Sequence, residues 1–324
     1  MRFLFRDLSL AKWVQACVTA IALGLGAPAA RAEVGFGLEP GVVVDPTGKL
    51  AVLMRPEQGL EAVALGEGNV LWRSGDADRP LIIKDTLLLA QADSPRPLLL
   101  LVVLDVAAQG ATARKIEVPL PPGTVASVDD TLGRTFSVRA AEIGELIIVN
   151  WEQRLVEISG AELAGGENPK PEILSGVVRV DLVAGTASVI DKDAGSYLIA
   201  NLPPDLGEGE RMAKAPQPQF RSANSGYAMT STQIADNRTW QKYQWTIWDI
   251  ARDQPIGQIR DFQRLAPFAV VGGVLLQTSS AYERRQDDQM IATPPSLRAF
   301  DLGSGDQLWA QALRDTAYSG PTPE

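Results

Sequence analysis

Two stretches of this chain, "LEAVALGEGNVLWRS" (Leu60 to Ser74) and "LRAFDLGSGDQLWAQ" (Leu297 to Gln311), align without a gap although 237 positions separate them. Each opens with residues that alternate between two faces, the period of a β-strand. A turn containing glycine follows, and glycine supplies the positive φ that a tight hairpin needs. A second strand then carries a large apolar anchor, Trp72 or Trp309. A chain that writes the same hairpin near both ends is restricted to architectures assembled from repeated sheets.

Three weaker copies lie between them. Asp105 with Gly110, Asp181 with Gly185, and Asp249 with the turn "ARDQP" stand where Asp301 and Gly305 stand in the last copy. Val189 replaces the tryptophan of the Asp181 copy. Strand-like runs precede each hairpin, from Leu50, Thr86, Glu145, Gly226 and Gly273, often with a further one upstream as at Pro80 and Pro267. Four antiparallel strands repeated five times are the pattern of a β-propeller. The anchors Ala64, Asp105, Asp181, Asp249 and Asp301 are 41, 76, 68 and 52 residues apart. A blade takes about 40–50 residues, so the long intervals require insertions. Two are visible: Ile158 to Ser175 within the third blade, and Asp191 to Gln219 between the third and fourth. Both are rich in Gly, Pro and charge, as surface loops are. The expected fold is an all-β propeller of five four-stranded blades, or six if the second insertion contains another. A β-sandwich with coincidental hairpins is the rival. A stretch near Gly35 to Asp45 would supply the strand beside the last blade, bringing both chain ends together and leaving no sheet edge open.

The order of strand, Asp, glycine turn and strand with Trp resembles the repeat of quinoprotein-type (PQQ-like) propellers, whose hairpin reads A-x-D-x-x-T-G-x-x-x-W. Ala299, Asp301, Gly305 and Trp309 match it. Ala62, Gly68 and Trp72 match it with Ala64 in the Asp position, and the other three copies keep the Asp and the turn without the Trp. The resemblance implies a quinone-dependent dehydrogenase that stacks its cofactor over an adjacent-cysteine disulfide and binds calcium through Glu, Asn and Asp. The residues oppose that activity: there is one cysteine, Cys17, and the chain is short for the seven or eight blades of such enzymes.

At the amino end, Arg2, Arg6 and Lys12 precede an apolar run from Val18 to Ala27, and "ARA" (Ala30 to Ala32) follows. That is the order of a secretory signal peptide covering residues 1–32, with Glu33 the mature start and 33–324 a single propeller domain. Lipidation at Cys17 is the competing reading, opposed by an apolar run that lies mostly after the cysteine. The run is too short to span a bilayer, which takes about 20 residues, and no membrane span is expected elsewhere. The expected location is periplasmic or extracellular. Cleavage removes four positive charges and one negative, taking the net charge from −9 to −12. Such a chain repels phosphate backbones, so nucleic acid is excluded as a partner.

Absence of histidine excludes Ser-His-Asp and Cys-His catalysis and histidine-ligated zinc. Carboxylate chemistry remains, as in glycoside hydrolysis, with Asp76, Asp78, Asp129, Asp130, Asp287 and Asp288 as candidates, although such residues are more often parts of solvated turns. Calcium held by oxygen ligands is the one cofactor left open. Trp245 and Trp248 fall on opposite faces of one strand and read as core. Trp240 and Tyr243 in "NRTWQKY", and Tyr282, Arg284 and Arg285 in "AYERRQDDQ", read as exposed loop residues suited to contact another protein. The resulting expectation is an exported, non-catalytic propeller that serves as a scaffold for a protein or cell-envelope component. A carboxylate-dependent glycosidase is the alternative, and nothing in the sequence sets an oligomeric state.

Overall fold

A computed structural model describes residues 38, 40–131, 133–155, 172–190, 214, 219–237, 240–286 and 289–317. Five four-stranded antiparallel sheets follow one another along the chain. The first holds β1 (Val42–Val44), β2 (Leu50–Met54), β3 (Leu60–Ala64) and β4 (Val70–Ser74). The second holds β5 (Arg79–Lys84), β6 (Leu87–Ala92), β7 (Leu98–Asp105) and β8 (Ala111–Pro119). The third holds β9 (Arg134–Ile143), β10 (Leu146–Leu155), β11 (Glu172–Asp181) and β12 (Thr186–Ile190). The fourth holds β13 (Gln219–Arg221), β14 (Tyr227–Asn237), β15 (Trp240–Asp249) and β16 (Gln254–Asp261). The fifth starts with β17 (Phe268–Val271) and β18 (Val274–Ser279), adds a separate hairpin of β19 (Tyr282–Gln286) and β20 (Gln289–Thr293), and ends with β21 (Ser296–Asp301) and β22 (Gln307–Ala312). This is an all-β propeller of five blades. The third strands end on the five expected anchors. The second insertion begins directly after β12, and residues 191–213 lie outside the described residues. Strand pairing begins at Glu172, so the end of the first insertion is strand, not loop.

Turn chemistry explains the anchors. The carboxylate of Asp105 accepts hydrogen bonds from Ala107 N and Ala108 N, that of Asp181 from Val183 N and Ala184 N, and that of Asp301 from Ser304 N. The backbone carbonyls of Ala64, Asp105, Asp181 and Asp301 each accept from the amide of the turn glycine, Gly68, Gly110, Gly185 and Gly305. Those glycines have φ of 71°, 76°, 70° and 78°, a region costly for residues with a Cβ.

The same glycines seat the next sheet. A Cβ on Gly68 would lie 2.5 Å from Cγ of Trp309, and one on Gly110 would lie 2.5 Å from Cε3 of Trp72. The fourth strands of blades five and one therefore rest a tryptophan on the turn of the following blade. Trp309 also donates its indole N–H to Leu65 O at 2.8 Å, tying the last blade to the first. Arg114 replaces the tryptophan in the second blade: its stem lies on Gly185 and its Nε donates to Val183 O at 2.8 Å. The fourth blade has Gly257 there, and the backbone of β16 closes directly on the turn between Leu302 and Gly305.

Apolar clusters fill these borders. Val52, Ala62, Trp72, Leu88 and Val102 join blades one and two; Leu89, Leu101, Phe136, Val149 and Trp151 join two and three. Met229, Trp245, Phe268 and Leu275 join four and five; Val44, Leu53, Ala299 and Trp309 join five and one. Each fully buried side chain of this kind stabilises by about 1.5–3 kcal/mol. As expected, Trp245 and Trp248 are buried on opposite faces of β15. Among the described residues no apolar cluster joins blades three and four. There β12 pairs with β11 without the bulge that the other four outer pairs contain, and it has no buried residue. No helix among the described residues is long and apolar enough to cross a membrane.

Replacing Trp309 with alanine empties the contact between the last and first blades and should lower unfolding free energy by about 3–5 kcal/mol. Leu308→Ala, at the exposed bulge of the same strand, should stay within about 0.5 kcal/mol. Denaturant titration of both variants measures the difference.

Candidate functional site

The two ends of the propeller are built differently. Connections between first and second strands, and between third and fourth, all leave from one end and contain two to five residues. Every connection longer than five residues leaves from the other end, between second and third strands or between blades. Short turns cannot form a surface of their own, whereas long connections on a rigid scaffold are where binding groups usually sit. The long-loop end is therefore the candidate site.

Over blades one and two this end is clamped. The 120–133 link crosses from blade two to blade three and is held by buried side chains below it. Arg79, at the start of β5, donates to Val128 O at 2.6 Å, Phe136 O at 3.2 Å and Gln91 Oε1 at 3.1 Å. Gln91 donates to Ala126 O, Gln153 accepts from Val125 N, and Asp93 accepts from Val128 N. Arg314 then straps the chain's end across this link. Its two terminal nitrogens reach Asp78 and Asp129, while Thr316 O accepts from Asp130 N. Asp78 also accepts from Gly59 N and Asp93 N.

Four carboxylates thus gather around two guanidinium groups. Burial pushes Asp93 above the usual carboxylate range, and the Asp78 charge adds to it. Burial also raises Asp130, against the pull of Arg79. Burial lowers Arg79, opposed by the neighbouring aspartates. Of the carboxylates singled out from sequence, Asp78, Asp129 and Asp130 are brought together. Asp76 instead accepts from Thr112 Oγ1 on the outer strand of blade two, and Asp287 and Asp288 lie outside the described residues. Asp93, Arg79 and Arg314 are the members that sequence reasoning missed. A glycosidase keeps the space between its two carboxyl groups, about 5–10 Å, free for sugar and water. Between Asp78 and Asp129 that space is filled by the Arg314 guanidinium, so the arrangement works as a clamp. Among the described residues no group of three or more acidic or cysteine side chains is placed to hold a metal ion.

Over blades three to five the same end carries ribbons. In the fourth blade β14 continues seven residues past its last pairing with β13, and Ser231–Asn237 runs against β15 alone or with the edge of β16. In the third, β11 continues outward past β12 from Gly176 to Glu172. In the fifth, β19 and β20 pair only with each other among the described strands. These positions correct two expectations. Trp240 and Tyr243 lie in strand β15, not in a loop before it. Tyr243 is buried between blades four and five with Trp245 and Ile247, which share its face, and its hydroxyl donates to Gln241 Oε1 at 2.5 Å. That burial removes it from the exposed contacts. Tyr282, Arg284 and Arg285 lie in strand β19 and not in a loop.

No protein-family model and no curated protein matches the chain. Among solved structures, the crystal structure of the computationally designed Ika8 protein is similar at 9% identity and a TM-score of 0.31, over 90% of this chain and 95% of that one. The Dos1 propeller is similar at 10% identity and a TM-score of 0.26, over 85% of this chain and 57% of that one. Likeness at this level adds nothing to the fold read from the strands themselves.

An aspartate with a raised folded-state pKa contributes stability that is present below the ordinary carboxylate value, about 3.9, and is lost as pH rises through the folded value. Asp93→Asn removes this dependence at one site. The melting temperature of the variant relative to the unaltered protein should therefore fall progressively as pH is lowered from 7 towards 4. Thermal melts across that range check the slope.

Proposed function

We propose that the chain is an exported, non-catalytic propeller that presents its long-loop end to another protein or to a component of the cell envelope. The observation that carries this reading is the gathering of every long connection at one end, with strand ribbons projecting over blades three to five. A scaffold docked through apolar borders holds such ribbons in fixed positions, which lowers the ordering cost of binding. Trp240 and the β19–β20 hairpin with Tyr282, Arg284 and Arg285 are the proposed contacts. Within this reading the chain is a degenerate quinoprotein-type propeller that has kept the hairpin repeat and dropped the cofactor. The basic start, apolar run and "ARA" of residues 1–32 support export, with cleavage after Ala32.

Replacing residues 281–294 with a two-residue Asn-Gly turn should abolish partner capture in native-envelope crosslinking and leave the melting temperature close to that of the full chain. Undiminished capture would move the contact away from this hairpin. Amino-terminal sequencing of the protein recovered outside the cytoplasm should begin at Glu33; a start at Met1, or a lipidated Cys17, would contradict the export route.

A further inference from the structure

The border between blades three and four differs in chemistry from the other four. On the third strand of a blade, the residue two before the anchor faces the next blade. It is Ala62, Val103, Ile247 or Ala299 elsewhere, each fully buried. In blade three it is Arg179, which is exposed, and the residue paired with it on β12 is Ser188, also exposed. On that same face Arg139 lies beside Asn150, in register with Ala141 and Ile148. From the other side, the face of blade four that bears Ala228 and Trp248 also bears Arg221, opposite Ala228, and Arg260, opposite Gln244. Lys242 shares the even-numbered face of β15 and lies 5.9 Å from the centre of the Phe262 ring. The acids on these faces are Glu152, already paired with Arg154 at 2.6 Å, and Asp181, whose carboxylate accepts from Val183 N and Ala184 N of its own turn. Arg139, Arg179 and Arg260 have no ion-pair or hydrogen-bond partner among the described residues.

The turn of blade four agrees with this difference. Where the other blades have a glycine, it has Asp253 with φ of 49°. Glycine is required there only when the preceding blade closes on the turn, by a side chain or, as at Gly257, by backbone, and blade three supplies neither. A row of cations on two facing sheets is an uncommon arrangement in a chain of net charge −9. It has the sign and the hydrogen-bonding geometry for carboxylates.

We propose that the border between blades three and four binds an acidic polypeptide segment, with Arg139, Arg179 and Arg260 as the recognising groups. This rests on the platform reading and names the chemistry of its partner. A polypeptide fits better than a nucleic acid or another long polyanion, because the net negative charge opposes an extended phosphate chain but acts weakly on a short segment held at a local cluster.

The test uses the full chain after export and a fluorescein-labelled oligo-glutamate peptide at low ionic strength. Saturable binding that weakens as salt is added is expected. Reversing Arg139, Arg179 and Arg260 to glutamate should weaken it roughly tenfold or more, while Arg73→Glu on blade one should change it little. A triple Arg→Gln variant serves if the reversals lower the melting temperature. No saturable binding, or binding unaltered by either triple variant, overturns the proposal. Preferential binding of single-stranded DNA of equal charge overturns the choice of partner. The hairpin deletion tests the platform reading separately, because it leaves these three arginines in place.

Discussion

Closure of the ring depends on one contact repeated around it: an anchor on the fourth strand of a blade, seated on the left-handed turn of the next. The contact needs two things at once. The turn residue must lack a Cβ, and the facing strand must bring something flat, long or close enough to cover it. Tryptophan meets the second condition at Trp72 and Trp309. Arg114 meets it with an aliphatic stem and a guanidinium that, like the indole N–H of Trp309, donates to a carbonyl of the neighbouring turn. Gly257 meets it by removing the side chain altogether and letting backbone approach backbone. Three different residues therefore solve one packing problem.

Because the blades are contiguous in sequence, no shared sheet joins the last blade to the first, and the ring is closed there mainly by side chains. Trp309 on Gly68, Gln311 on Gly68 O and Arg314 on Asp78 and Asp129 all act across that join. Buried arginines and aspartates bring a desolvation cost, visible in the raised Asp93 and Asp130 and the lowered Arg79. Several of these groups also bond to backbone of the 120–133 link, which gives the amides of Val125 and Val128 and the carbonyls of Ala126 and Val128 a partner. One half of the long-loop end is thereby made rigid, and the ribbons of the other half project from it.

Local chemistry made the fold legible. The Asp anchors, the turn glycines and the alternation of "LRAFDL" all report interactions within a few residues, and the strands end where those residues stand. What escaped were interactions that join distant segments. Arg114 looks like an ordinary charge until the turn of the next blade lies under it. Arg79 and Arg314 are isolated cations in sequence and meet only through folding. The three buried glutamines Gln91, Gln153 and Gln277 each pair with a residue of their blade's first strand, and nothing in the local sequence marks them as buried. "NRTWQKY" reads as a loop from its polarity, although a ribbon exposed on one face and packed on the other has similar composition. Tyr243 is on the packed face.

The outer strands offer the most direct measurement. All five are edge strands with comparable hydrogen bonding, but β4, β8, β16 and β22 each hold buried residues and a seat on the next blade, whereas β12 has neither. Native-state hydrogen exchange followed by mass spectrometry reports their opening individually. If docking on the next turn is what holds an outer strand, Thr186–Ile190 should exchange far faster than Gln307–Ala312. Equal protection of the two strands, or slower exchange in Thr186–Ile190, would contradict the account.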